Sequence, residues 1–112
     1  MKNAETLSKT IQYKMRKGQD RRPLSELAGE EFTPEAYCRY QYINRDGEQV
    51  EGLSLLVTGD VYFTSSEAVI NSFADIEDLN DDLEADDVNI VLKLIKKTSK
   101  QGREYNVLDV VI

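Results

Sequence analysis

The chain has 112 residues, 40% of them apolar and 31% charged, which suits one packed domain (1–112) with a modest core and leaves too little for two. A single cysteine, Cys38, and the absence of histidine exclude an intrachain disulfide framework and the usual Cys/His zinc sites. No run of about 18 apolar residues occurs, so neither a signal peptide nor a membrane span is expected, and the expected setting is the cytoplasm of a bacterial cell.

The net charge of −7 is very unevenly spread. Residues 1–22 carry seven cations against Glu5 and Asp20, a net of +5, and residues 93–103 carry five cations and no acid. The rest of the chain holds a net −17. Two basic zones on an acidic body point to a partner recognised by local charge rather than by net charge.

In chain order, Ala4 to Lys17 reads as a helix, since Leu7, Ile11 and Met15 recur at a spacing of four. Gly18 is its stop, and Lys14, Arg16 and Lys17 suit the negative end of the helix dipole. Together with Arg21 and Arg22, residues 1–22 form a basic N-terminal helix and linker. The next stretch, with Gly29 and Pro34 as breakers, is a connector without a firm assignment.

Tyr37 to Ile43 alternates as a strand does, with Tyr37, Arg39, Gln41 and Ile43 on one face and Cys38, Tyr40 and Tyr42 on the other. Asn44-Arg45-Asp46-Gly47 supplies a hairpin turn, because Asp-Gly readily takes the positive φ such turns need. Val50 to Val57 is the return strand, and Val61-Tyr62-Phe63 is a third after the turn at Gly59-Asp60. Ser65 or Ser66 caps a helix that turns Val69, Phe73 and Ile76 toward a sheet. Asp75–Asp87 holds eight acids and no base and reads as a solvated loop. Val88 to Ile95 and Tyr105 to Ile112 are the last strands, joined by the basic segment Lys96 to Arg103.

After the first helix the order is three strands, a helix and two strands, that of an OB-fold. The expected fold is therefore α+β and β-rich: a five-stranded OB-like barrel over residues 37–112 with an added N-terminal helix. In that fold the loops between the first two and the last two strands bind oligonucleotides; here they are Asn44 to Gly47 and Lys97 to Gly102. An open mixed sheet would use the same elements, since element order alone does not decide closure.

Candidate binding residues follow from this placement. Cations follow phosphates and aromatic faces stack on bases at roughly 1–3 kcal/mol each. This assigns phosphate contact to Arg39, Arg45, Lys97, Lys100 and Arg103, and base stacking to Tyr40, Tyr42, Tyr62 and Tyr105. Each has a structural alternative: tyrosines pack strands with a hydroxyl at the rim, and lysines keep hairpin edges soluble. Catalysis finds little support without a histidine base, and Cys38 reads as packing. The acidic run lacks the central glycine and alternating ligands of a calcium loop. A non-enzymatic protein without metal or cofactor is expected.

Tyr62-Phe63-Thr64-Ser65-Ser66, Phe73-Ala74-Asp75-Ile76 and the segment from Lys96 to Tyr105 resemble small OB-fold single-stranded-DNA-binding proteins of phages and mobile elements, over roughly residues 37–112. The resemblance implies a partner in single-stranded DNA and a role in replication or recombination. The chain departs from bacterial relatives that recruit partners through an acidic C-terminal tail: its acids are internal, and it stops at Val110-Val111-Ile112. Asp75–Asp87 could instead contact replication or recombination proteins or inhibit a host nucleic-acid enzyme. A virion or assembly component is a third reading, with the N-terminal helix and last strand as elements of a homo-oligomer.

Overall fold

The computed structural model describes residues 1–85 and 89–111. In order these form β1 (Lys2–Asn3), a 3-10 turn (Ala4–Thr6), α1 (Lys9–Lys17), β2 (Arg22–Pro23), a second 3-10 turn (Leu24–Leu27), β3 (Glu31–Phe32), β4 (Ala36–Ile43), β5 (Gln49–Val57), β6 (Asp60–Thr64), α2 (Glu67–Ala85), β7 (Leu92–Thr98) and β8 (Glu104–Val110).

The first helix is shorter than its sequence pattern. Leu7 is extended and Ser8 caps α1, its Oγ accepting from Ile11 N at 3.3 Å; Ala4–Thr6 is a separate turn capped by Asn3. Serine competes with the helix backbone for hydrogen bonds and so resets the helix start. Gly18 ends α1 as expected, and its reason is steric: a Cβ there would collide with the Lys14 carbonyl oxygen.

The fold is α+β and rich in strands, arranged as two sheets with no closed barrel among the described residues. β4, β5 and β6 form the expected antiparallel meander, with Ala36 opposite Leu56 and Tyr40 opposite Gly52. β1 adds parallel to β4 and β2 parallel to β6, giving the order β1-β4-β5-β6-β2. The last two strands pair with β3 in a second sheet, β3-β7-β8. This corrects the five-stranded barrel, for a physical reason. Closure needs strands of the last hairpin on the edges of the meander, and the segments before residue 36 occupy those edges instead.

Two further expectations change. The acidic stretch from Asp75 is not a loop; it continues α2 to Ala85, while Asp86 and Asp87 lie outside the described residues. Phe73, Ile76, Asn80 and Leu83 keep a three-and-four spacing that buries one face while Asp75, Asp78, Asp81 and Asp82 are exposed. The penultimate strand begins at Leu92 rather than Val88, a residue outside the described set, and runs on through Lys96, Lys97 and Thr98. The basic loop thereby shrinks to Ser99–Arg103. Gly102 takes φ 80° there, and Ser99 N donates to Arg103 O at 2.8 Å.

The main sheet is covered on both faces. Ala4, Met15, Ala36, Cys38 and Val61 pack under α1, and Ser54 Oγ donates to Met15 O at 2.6 Å. Tyr37, Leu53, Leu55 and Tyr62 face the other way, toward Phe73 and Ile76 of α2 and Leu92, Leu94 and Leu108 of the second sheet. The Tyr37 and Phe73 rings meet edge to face with centroids 5.2 Å apart. α2 also covers the β8 edge, where Leu108 N donates to Ser72 Oγ at 3.0 Å.

Met1 anchors the far end of α2. Its α-amino group donates to Asn80 Oδ1 at 2.9 Å and Glu84 Oε1 at 2.7 Å, and Asn80 Nδ2 donates to Met1 O at 2.9 Å. Asn80→Ala should lower unfolding free energy by about 1–3 kcal/mol, because it leaves buried polar atoms unpaired; urea unfolding measures it. The bond and charge of the Met1 amino group hold the Glu84 carboxyl below the usual carboxylate range. A depressed folded-state pKa stabilises above the ordinary carboxylate value and is lost as pH falls through the folded one. Wild type should therefore lose more stability than Glu84→Gln when urea midpoints are compared between about pH 7 and about pH 3.

Candidate nucleic-acid interface

The structure sorts the sequence-derived site residues into three groups. The first is the β7–β8 hairpin. Lys97 lies directly opposite Tyr105, and Lys100 and Arg103 stand exposed at the tip. Lys96 pairs with Glu104 at 3.9 Å, both side chains being mostly in solvent, so this contact contributes little. Lys97, Lys100 and Arg103 have no ion-pair partner among the described residues. Lys97 also lines a cleft with Asp75 and Asp109, along with Leu79 of α2 and Val107 of β8, so the positive potential is strongest at the tip.

The second group occupies the C-terminal end of β4. Tyr40 and Tyr42 lie on the α1 face of the main sheet, with ring centroids 5.9 Å apart and planes inclined at 38°. Tyr40 is held on three sides. Its hydroxyl accepts from Arg21 Nη1 at 2.7 Å, its ring lies over Gly52, and its body packs in the layer beneath α1. Arg21 is itself fixed, donating from Nε to Gly18 O at 3.1 Å and lying 4.9 Å from the Phe63 ring centroid. Arg45 follows in the exposed β4–β5 turn, where Asn44 Oδ1 accepts from Asp46 N and Glu48 N at 3.0 and 2.9 Å.

The third group is engaged by other parts of the fold. Arg39 bonds Glu51 at 2.9 Å, pairs with Glu77 of α2, and lies 5.7 Å from the Phe73 ring centroid. Its charge is already accompanied by two carboxylates, so it is less free to meet a phosphate than the cations at the turns. Tyr62 is only 9% exposed within the core between the sheets, which removes the free ring face that base stacking requires. Tyr37, on the same face, is also buried; desolvation, with Glu77 and Asp81 nearby, raises its phenol pKa.

The first two groups do not form one groove wall. Tyr40 and Tyr42 face α1, whereas the β7–β8 hairpin belongs to the sheet packed on the opposite face. Tyr37 sits beside Phe73, and Gln49, Val50 and Glu51 sit beside Glu67 and Asn71. β4 therefore runs toward the start of α2, while β8 meets α2 at Ser72 and continues toward Leu79.

Arg16, Lys17 and Arg21 read from the sequence only as part of a basic N-terminal helix and linker, and Gly52 takes no role in that reading, although together they build the surroundings of Tyr40 and Tyr42. The available signal was Gly52 itself, a strand glycine, which often marks close approach of another group. Cys38 is buried under α1. Among the described residues no cluster of carboxylates or cysteine is arranged to hold a metal ion, and no helix is long and apolar enough to cross a membrane.

A Cβ at position 52 would come within 2.6 Å of Tyr40 Cζ. Gly52→Ala should force the ring off β5 at a cost of about 1–3 kcal/mol, seen as a lower thermal midpoint and a changed Tyr40 ring environment by NMR. Comparison of the chain with family models, with curated proteins and with solved structures found no match.

Proposed function

We propose that the protein binds single-stranded DNA with little sequence preference, using the β7–β8 hairpin as its phosphate-contacting element. The carrying observation is the exposed cation set Lys97, Lys100 and Arg103, without ion-pair partners among the described residues, on a chain of net charge −7. Lysines at a hairpin also keep its edges from pairing with other strands, but a phosphate backbone rewards these three cations at one tip through counterion release. Tyr105, 39% exposed across from Lys97, adds an aromatic face, and Arg45 adds a cation on the neighbouring turn. The resemblance to phage and mobile-element proteins supports a role in replication or recombination.

A second reading has its own observation. The outward side of α2 carries Asp75, Asp78 and Asp82 at helical spacing, all exposed, a stripe suited to a basic protein partner such as a replication protein or a host nucleic-acid enzyme. The two readings separate by experiment. Fluorescence anisotropy with labelled single-stranded DNA at low salt should show binding that weakens steeply as salt rises. Lys97→Ala/Lys100→Ala/Arg103→Ala should reduce the log–log salt slope by about 2, at about 0.7 per lost phosphate contact. Absence of binding by wild type at low salt, or an unchanged slope in the triple variant, overturns the proposal.

A further inference from the structure

We propose that the Tyr40–Tyr42 surface, rimmed by Arg16 and Lys17 of α1, is a second contact site for single-stranded nucleic acid, on the opposite face of the main sheet from the β7–β8 hairpin. This rests on the reading of the hairpin as a nucleic-acid element and extends it to a face that the basic loops alone do not reach.

The site is a surface cleft of about 340 Å³ lined by Arg16, Lys17, Tyr40, Gln41 and Tyr42. Its floor is rigid because the Tyr40 ring is held over Gly52 by the Arg21 bond, and Arg21 is held by the α1 C-terminus and Phe63. Tyr42 extends that floor outward and is 38% exposed. A fixed aromatic surface loses little conformational freedom when a base stacks on it, and every base has a face to offer.

The residues of the rim have a simpler explanation that does not cover all of them. Cations at the end of α1 complement its dipole, which accounts for Lys14, Arg16 and Lys17 as a set. It does not account for the exposed Tyr42 next to the partly buried Tyr40 beside Arg16 and Lys17, nor for the support of the Tyr40 ring. Neither Arg16 nor Lys17 has an ion-pair partner among the described residues. Cations beside stacked rings are the combination that grips a single strand, and a rim carrying only positive charge disfavours a basic peptide.

The geometry adds a path. The platform lies on the α1 face of the β4–β5 hairpin, whose exposed turn carries Arg45. A strand bound at both sites crosses the sheet end at Arg45. Binding should then depend on length: an oligomer of about 4 nucleotides fills one site, whereas one of about 16 reaches both.

The test titrates labelled oligothymidylates of about 4 and about 16 nucleotides against wild type, Arg16→Ala/Lys17→Ala, Tyr42→Ala, Tyr42→Phe and the triple hairpin variant, with circular dichroism and thermal midpoints as controls of folding. Wild type should bind the longer oligomer more tightly than the shorter. Arg16→Ala/Lys17→Ala and Tyr42→Ala should each weaken the longer complex about tenfold, and Tyr42→Phe should bind as wild type because stacking needs the ring and not the hydroxyl. Unlabelled oligothymidylate should quench tyrosine emission less in Tyr42→Ala. If the α1-side variants bind the longer oligomer as wild type does while the hairpin variant is weakened, the second site is overturned and the hairpin reading stands. If wild type binds neither oligomer, both are overturned.

Discussion

Alternation along β5 governs the layout of the molecule. Leu53, Leu55 and Val57 point to one side and Gly52, Ser54 and Leu56 to the other, and both sides are covered. A strand pleat offers only two faces, so every element added to the meander must join one of two layers or pair with an edge. α1 takes the first layer, α2 and the second sheet take the other, and the short strands β1 and β2 take the edges. That distribution leaves the last hairpin to build a separate sheet with β3 rather than close a barrel.

The polar contacts inside this arrangement are few and placed where layers meet. Ser54 reaches the last turn of α1, Ser72 joins α2 to the β8 backbone, and Asn80 with Glu84 receives Met1. Each satisfies a group that burial would otherwise leave unpaired. Arg39 also lies where layers meet. It spans β4, β5 and α2 through Glu51 and Glu77, so its charge works within the fold, whereas cations at the turns and at the end of α1 are open to a partner.

Charge and aromatic residues consequently separate into two surfaces. On one side of the main sheet the end of α1 brings Arg16 and Lys17 beside Tyr40 and Tyr42; on the other, the β7–β8 tip presents Lys100 and Arg103 near Tyr105. Seven acids lie along α2, Asp75 among them near Lys97, while Glu104 stands at the start of β8 beside the hairpin loop and pairs with Lys96. A protein of net negative charge can thus offer two positive surfaces, because exposed lysines and arginines are largely screened from acids more than about a Debye length away.

The elements themselves were legible in the chain because each rests on local patterns. The alternation of Tyr37 to Ile43, the Asp46-Gly47 turn, the return strand and the Gly18 stop depend on neighbours a few residues away, and all are present. The acidic half of α2 was misread because charge density spoke for a loop, while the spacing of Ile76, Asn80 and Leu83 spoke for a helix and prevailed by burial. Which tyrosines stay exposed, which arginine is neutralised, and whether strands close a barrel all depended on contacts between distant segments. Two-residue strands such as β1, β2 and β3 leave almost no periodic trace, yet their pairing decided the edges of the main sheet. Local propensity and period therefore determined the parts, and long-range pairing and burial decided which of their side chains face a partner.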